Sequence, residues 1–139
     1  MKKVLSWPVY YQLSEIYTAP LNVVWFVFGA AMAFQQYHMF NLINILLCLV
    51  DVFLFDLVVN IADNYYDYLH GKDRHFLTDI NPIGRLKLPL TDVRNLVWIS
   101  YFISAIPGII LVYRTGWPVL IMGMWGILLE YFTLQGLSR

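Results

Sequence analysis

Four stretches of the chain, residues 16–34, 42–61, 93–112 and 117–131, are so apolar that only lipid or a large buried core could receive them. A membrane span needs roughly 20 residues, because each adds about 1.5 Å against a hydrocarbon core about 30 Å thick. The first three runs reach that length. The fourth, about fifteen residues, reaches it only if the helix continues through Thr133 and Leu134. Backbone crossing lipid must satisfy its own hydrogen bonds, so such runs separated by turns mean helices. The expectation is an all-α integral membrane helical bundle of about four transmembrane helices, a single membrane domain over residues 1–139. A soluble fold is excluded by composition, since 13% of residues are charged and 60% hydrophobic, where soluble domains carry about 25% charge.

The segments between the runs are informative in turn. Lys2 and Lys3 precede no apolar stretch or small-residue cleavage site before Gln12, Ser14 and Glu15, so the start is not a cleavable signal peptide. Tyr10, Leu13, Ile16 and Tyr17 recur at helical spacing beside those polar residues, which places the opening segment along the interface. Pro20 marks entry to the first span or a kink in it. Residues 68–92 read as a long polar loop punctuated by Gly71, Pro82, Gly84 and Pro89, and loops of that length are functional or disordered. Pro107 and Gly108 interrupt the third run as a tolerable kink.

If the spans alternate, Lys2, Lys3, Lys72, Arg74, Arg85, Lys87, Arg94 and Arg139 share one side and only Arg114 lies on the other. Cytoplasmic loops are rich in Lys and Arg, so a multi-pass protein of the cell membrane is expected, with both termini and the long loop cytoplasmic. Nine basic and nine acidic residues cancel, leaving no excess that would draw the chain to nucleic acid. Cys48, the only cysteine, excludes an internal disulfide and reads as apolar filler.

Chemistry concentrates where the second run ends. Asn60, Asp63, Asn64 and Asp67 are spaced i, i+3, i+4 and i+7, so they share one helix face, and Asp56 extends the stripe one turn deeper. Carboxylates four residues apart repel, and acids near a helix C-terminus oppose the macrodipole, so a cation is expected to compensate. Mg²⁺ suits the place: it takes oxygen ligands, keeps waters, and is held by one or two carboxylates with substrate phosphates. The scattered His38, His70 and His75 do not suggest zinc. Lys72, Arg74, Arg85 and Lys87 just beyond are candidates to bind a diphosphate, or else they only set topology. Asp51 and Asp56 are costly in a bilayer and are expected to face a cavity or a neighbouring helix. Glu130 is given no role beyond the interface. Tyr65, Tyr66 and Tyr68 border the acids, either as an aromatic belt or as faces that stabilise a carbocation.

At this stretch the chain resembles the UbiA superfamily of membrane prenyltransferases, whose first aspartate-rich motif is N-D-x-x-D-x-x-x-D with a longer final spacing in the menaquinone branch. Asp63-Asn64-Tyr65-Tyr66-Asp67 with Gly71 and Asp73 is most similar to that branch, and Tyr131-Phe132-Thr133 with Gly136-Leu137-Ser138-Arg139 is similar to the end of its fourth helix. The resemblance implies a helical bundle in which Mg²⁺ binds the diphosphate of a polyprenyl diphosphate and an aromatic acceptor, such as 1,4-dihydroxy-2-naphthoate, attacks the allylic carbon. By position it implies Asp63, Asp67 and Asp73 as catalytic residues, these with Asn64 as metal ligands, and Asn60, Asn64, Tyr68, Lys72, Arg74, Arg85 and Lys87 as substrate-binding residues. Asn64 stands where the family commonly has Asp, and Asp63 where Asn is common. A second alignment takes Asn60, Asp63 and Asp67 as the motif, with Val59 at its leading position; both remain open. The family's second aspartate-rich motif lies on a later helix, so the chain is expected to be the amino-terminal half of a longer enzyme and inactive without the other half. The competing expectation is a non-catalytic four-helix membrane protein, a transporter component or an assembly partner.

Overall fold

The structure, a computed structural model, describes residues 2–38 and 41–137. Two short helices, α1 (Lys2–Leu5) and α2 (Trp7–Ser14), lead through a 3-10 turn (Ile16–Thr18) into α3 (Ala19–Tyr37). The long α4 (Leu42–His70) is followed by a π-helical turn (Phe76–Ile80), α5 (Pro82–Arg85), α6 (Leu90–Thr115) and α7 (Trp117–Leu137). The described residues contain no strand. The Ile16–Tyr37 helix, α4 and α6 are long and apolar enough to cross a membrane, and α7 adds a shorter apolar stretch, Leu120–Leu129. The chain is thus an all-α membrane bundle of about four helices.

Local chemistry explains the helix boundaries. Pro20 sits in the first turn of α3, where its missing N–H leaves nothing unsatisfied, so it marks entry to the span. Asn41 caps α4, its side chain accepting from the Asn44 N–H at 3.1 Å. The 29 residues of α4 make about 44 Å of helix, well beyond a hydrocarbon core of about 30 Å. Its last turns therefore stand clear of lipid, and the helix runs on to His70 although the apolar run stops near Ile61. In the same way α6 begins at Leu90 and α7 continues to Leu137, each longer than its apolar run. Pro107 lies inside α6, which continues through it.

α4 packs along α6, with α2 and α3 against α4 and α7 against α6. The buried core is not at mid-span. It gathers at one end, where Val4, Leu13, Ile61, Ile83, Val93 and Leu96 from α1, α2, α4, α5 and α6 close on one another. By contrast only 6%, 11% and 22% of the apolar windows of the three long spans are buried within the protein, leaving their outer faces to lipid.

The segment expected to be a polar loop is a folded cap over that core. A Cβ on Gly84 would lie 1.5 Å from the Leu77 carbonyl oxygen, so α5 meets the π-helical turn at a separation only glycine permits. Asn81, 1% exposed, fixes the entry to α5. Its Oδ1 accepts from the Ile83 N–H at 2.9 Å, with Pro82 opening the helix behind it. The same side chain donates to the Asn64 carbonyl at 2.9 Å, joining cap to α4.

Candidate functional site at the polar end of α4

Glu15 adopts a left-handed conformation, φ 49 and ψ 42, which ends α2 and turns the chain toward α3. The last carbonyls of a helix have no partner within it. Here two asparagines from α4 supply partners: Asn60 Nδ2 donates to Ser14 O at 2.9 Å and Asn64 Nδ2 to Leu13 O at 3.0 Å. Asn64 Nδ2 also reaches Glu15 Oε1 at 3.3 Å. These two residues, expected to bind substrate or metal, stitch the interfacial helix to α4. Asn64 is 9% exposed, and its amide nitrogen is committed to α2, with only the oxygen branch left for any ligand.

Asp63 and Asp67 are partly buried and one turn apart on α4, a spacing that brings Cβ atoms to about 5–6 Å. Asp73 is not on that helix. α4 stops at His70, Gly71 donates its N–H to Asp67 O at 2.8 Å, and Asp73 lies in the exposed segment beyond. There its Oδ1 accepts from the His75 N–H at 3.0 Å, capping the turns that follow. Among the described residues no three His, Cys, Asp or Glu side chains are grouped to hold an ion. Asp63 and Asp67 are the carboxylates here that could hold Mg²⁺, which is commonly held by one or two carboxylates with water and phosphate oxygens completing the shell.

The expected basic residues divide. Lys72 and Arg74 are exposed on the segment after α4. Arg85 donates from its guanidinium to Gln12 Oε1, tying α5 to α2. Lys87 is exposed at φ 51 in the turn into α6. Tyr68 packs on the buried core beside Gly84, as Tyr65 does on the core, whereas Tyr66 stacks on His70 with ring centroids 6.0 Å apart and 2° between planes. Tyr10 also lies against this core, and burial pushes its phenol above the usual value, so it stays neutral.

Within the span, the two acids face neighbouring helices as expected. A Cβ on Gly108 would lie 3.3 Å from both Asp51 carboxylate oxygens, so that carboxyl rests on the α6 backbone just past Pro107. Asp56 lines a small cavity with Asn22 and Val23 of α3, and its buried Oδ2 has no hydrogen-bond partner among the described residues. Glu130 lies near the end of α7, and its side chain lies outside the described residues, as do Ser138 and Arg139.

Three residues central to this end were not singled out by sequence: Ser14 and Glu15, which meet the α4 asparagines, and Asn81. For Asn81 a signal existed, since Asn before Pro is a favoured helix start. The others act through contacts 46 and 49 positions away. Comparison of the chain with protein-family models, with curated proteins and with solved structures finds no match.

Proposed function

We propose that the chain is the diphosphate-binding part of a UbiA-type membrane prenyltransferase, transferring a polyprenyl group from its diphosphate to an aromatic acceptor such as 1,4-dihydroxy-2-naphthoate. One observation carries the reading: two carboxylates one turn apart stand where α4 leaves the lipid, beside a cap bearing Lys72, Arg74, Arg85 and Lys87. A polyprenyl diphosphate has the same division, an apolar tail and a charged head.

In this scheme Asp63 and Asp67 would hold Mg²⁺, which when bound would supply charge stabilisation to a diphosphate leaving group. Lys72 and Arg74 are exposed at the surface, where they can meet phosphate oxygens, and Arg gives the bidentate geometry. Asn60 and Asn64 act by position, holding α2 against the acidic face. Tyr65 and Tyr68 keep their rings packed against the core beside the acids, where they limit water around a developing allylic cation. The resemblance implies that a second acidic cluster, in a carboxy-terminal half, completes the site. The bias of Lys and Arg supports a cytoplasmic side for this end and for both termini.

Transfer of a labelled prenyl group by the full-length enzyme is expected to fall about 100-fold or more in Asp67→Asn, the scale of losing a group that stabilises developing charge. Unchanged turnover would rule the assignment out. A non-catalytic role is favoured by a different observation, the buried Asp56 Oδ2 inside the span, which has no hydrogen-bond partner among the described residues. It predicts that no Mg²⁺-dependent binding of polyprenyl diphosphate occurs at all.

A further inference from the structure

We propose that the groove between α3 and α4, at the end of the bundle opposite the cap, binds an anionic phospholipid whose phosphate pairs with Arg114 and one of whose acyl chains lies along the groove. The groove holds about 380 Å³ and is lined by Trp25, Phe26 and Gly29 on one side and Asn44, Ile45 and Cys48 on the other. Its lining is apolar except for Asn44. That residue is the link to charge, because its Oδ1 accepts from Arg114 Nε at 2.8 Å. One of the five guanidinium N–H groups is thereby spent on anchoring the side chain, and Arg114 is exposed.

The chain on either side of this guanidinium carries no acid. No Asp or Glu occurs in residues 16–50 or 93–129 of the sequence, stretches that include α3, the start of α4 and the part of α6 that bears Arg114. A cation at the mouth of an apolar, lipid-facing groove matches a ligand with a phosphate head and a hydrocarbon tail. Arg pairs with phosphate through two parallel charge-assisted hydrogen bonds. A second copy of the chain is a poorer occupant, since a two-fold contact through this face would bring one Arg114 toward another with no carboxylate between them. The space is also not reserved for protein packing: a Cβ on Gly29 would meet nothing within 4 Å. The proposal is independent of the prenyltransferase reading, which concerns the other end of α4.

Native mass spectrometry of the full chain, released from detergent with phosphatidylglycerol or phosphatidylcholine of identical acyl chains, tests it. Retention of phosphatidylglycerol is expected to exceed that of phosphatidylcholine by roughly tenfold, a scale suited to one charge-assisted pair. Arg114→Gln keeps a donor for Asn44 and removes the charge, so the preference should vanish. Gly29→Leu fills the groove without disturbing the helix and should lower retention of both lipids. Circular dichroism reports whether each variant keeps its helicity. An undiminished preference in Arg114→Gln, undiminished retention in Gly29→Leu, or a dimer that Gly29→Leu dissociates would each overturn the proposal.

Discussion

At position 64 a carboxylate would find two oxygen atoms already waiting, the Leu13 carbonyl at 3.0 Å and the Glu15 carboxylate at 3.3 Å from the amide nitrogen that stands there. An amide donates to both; an ionised acid can donate to neither. This gives a physical reason for Asn rather than Asp at position 64, where the first of the two alignments with the resembled family would place an acid. Asn64→Asp is expected to destabilise the fold by about 1–3 kcal/mol, the cost of stranding buried acceptors, with charge repulsion added. Thermal unfolding in detergent measures it, and Glu15→Gln should recover part of the loss in the double variant because the two side chains touch. Full additivity would show that Glu15 does not sense residue 64. From sequence the polar stripe on α4 was legible through its helical spacing, but not the direction each member faces. That direction is set by α2, which is separated from Asn64 by 51 positions along the chain.

Among the elements, the apolar runs were easy to read and the polar segments between them were not. Hydrophobic runs report where lipid lies, not where a helix stops, so α4, α6 and α7 all outlast them. The segment after His70 looked like loop because Gly71, Pro82, Gly84 and Pro89 break any periodic pattern. In the structure those same residues permit close contacts: Gly84 against Leu77, and Gly71, whose added Cβ would sit 2.8 Å from both Asp67 O and Leu77 Cδ2. Gly84→Ala has no room at 1.5 Å from a carbonyl oxygen, so α5 must move away from the π-helical turn. Limited proteolysis should then cut within residues 72–89 at a rate about ten times that of the wild type, corresponding to roughly 1.4 kcal/mol of lost local stability. Equal cleavage rates would mean that this contact does not hold the cap closed.

On the scale of the whole molecule, the protein's own packing is concentrated at one end, while lipid must cover most of the rest. Helices in a bilayer associate without a hydrophobic drive between them, because hydrocarbon tails are as apolar as leucine. The core of Val4, Leu13, Ile61, Ile83, Val93 and Leu96 lies instead where α2, α5 and the polar ends of α4 and α6 leave the membrane, and there water drives its burial. α3 has Ala19 as its one buried residue among those described, and α7 rests mainly on α6. Removing the bilayer should therefore expose a hierarchy of opening free energies. In detergent, amide hydrogen exchange is expected to be fastest in α7 and the second half of α3, and slowest from Leu57 to Asn64 of α4 and Val93 to Val97 of α6. In lipid nanodiscs the spans should become similar to one another, because hydrocarbon excludes water from every backbone hydrogen bond whatever the side chains touch. If α7 exchanged as slowly as α4 in detergent, its stability would have to come from contacts other than the α6 packing seen here, and the capped end could no longer be the part that holds the bundle together.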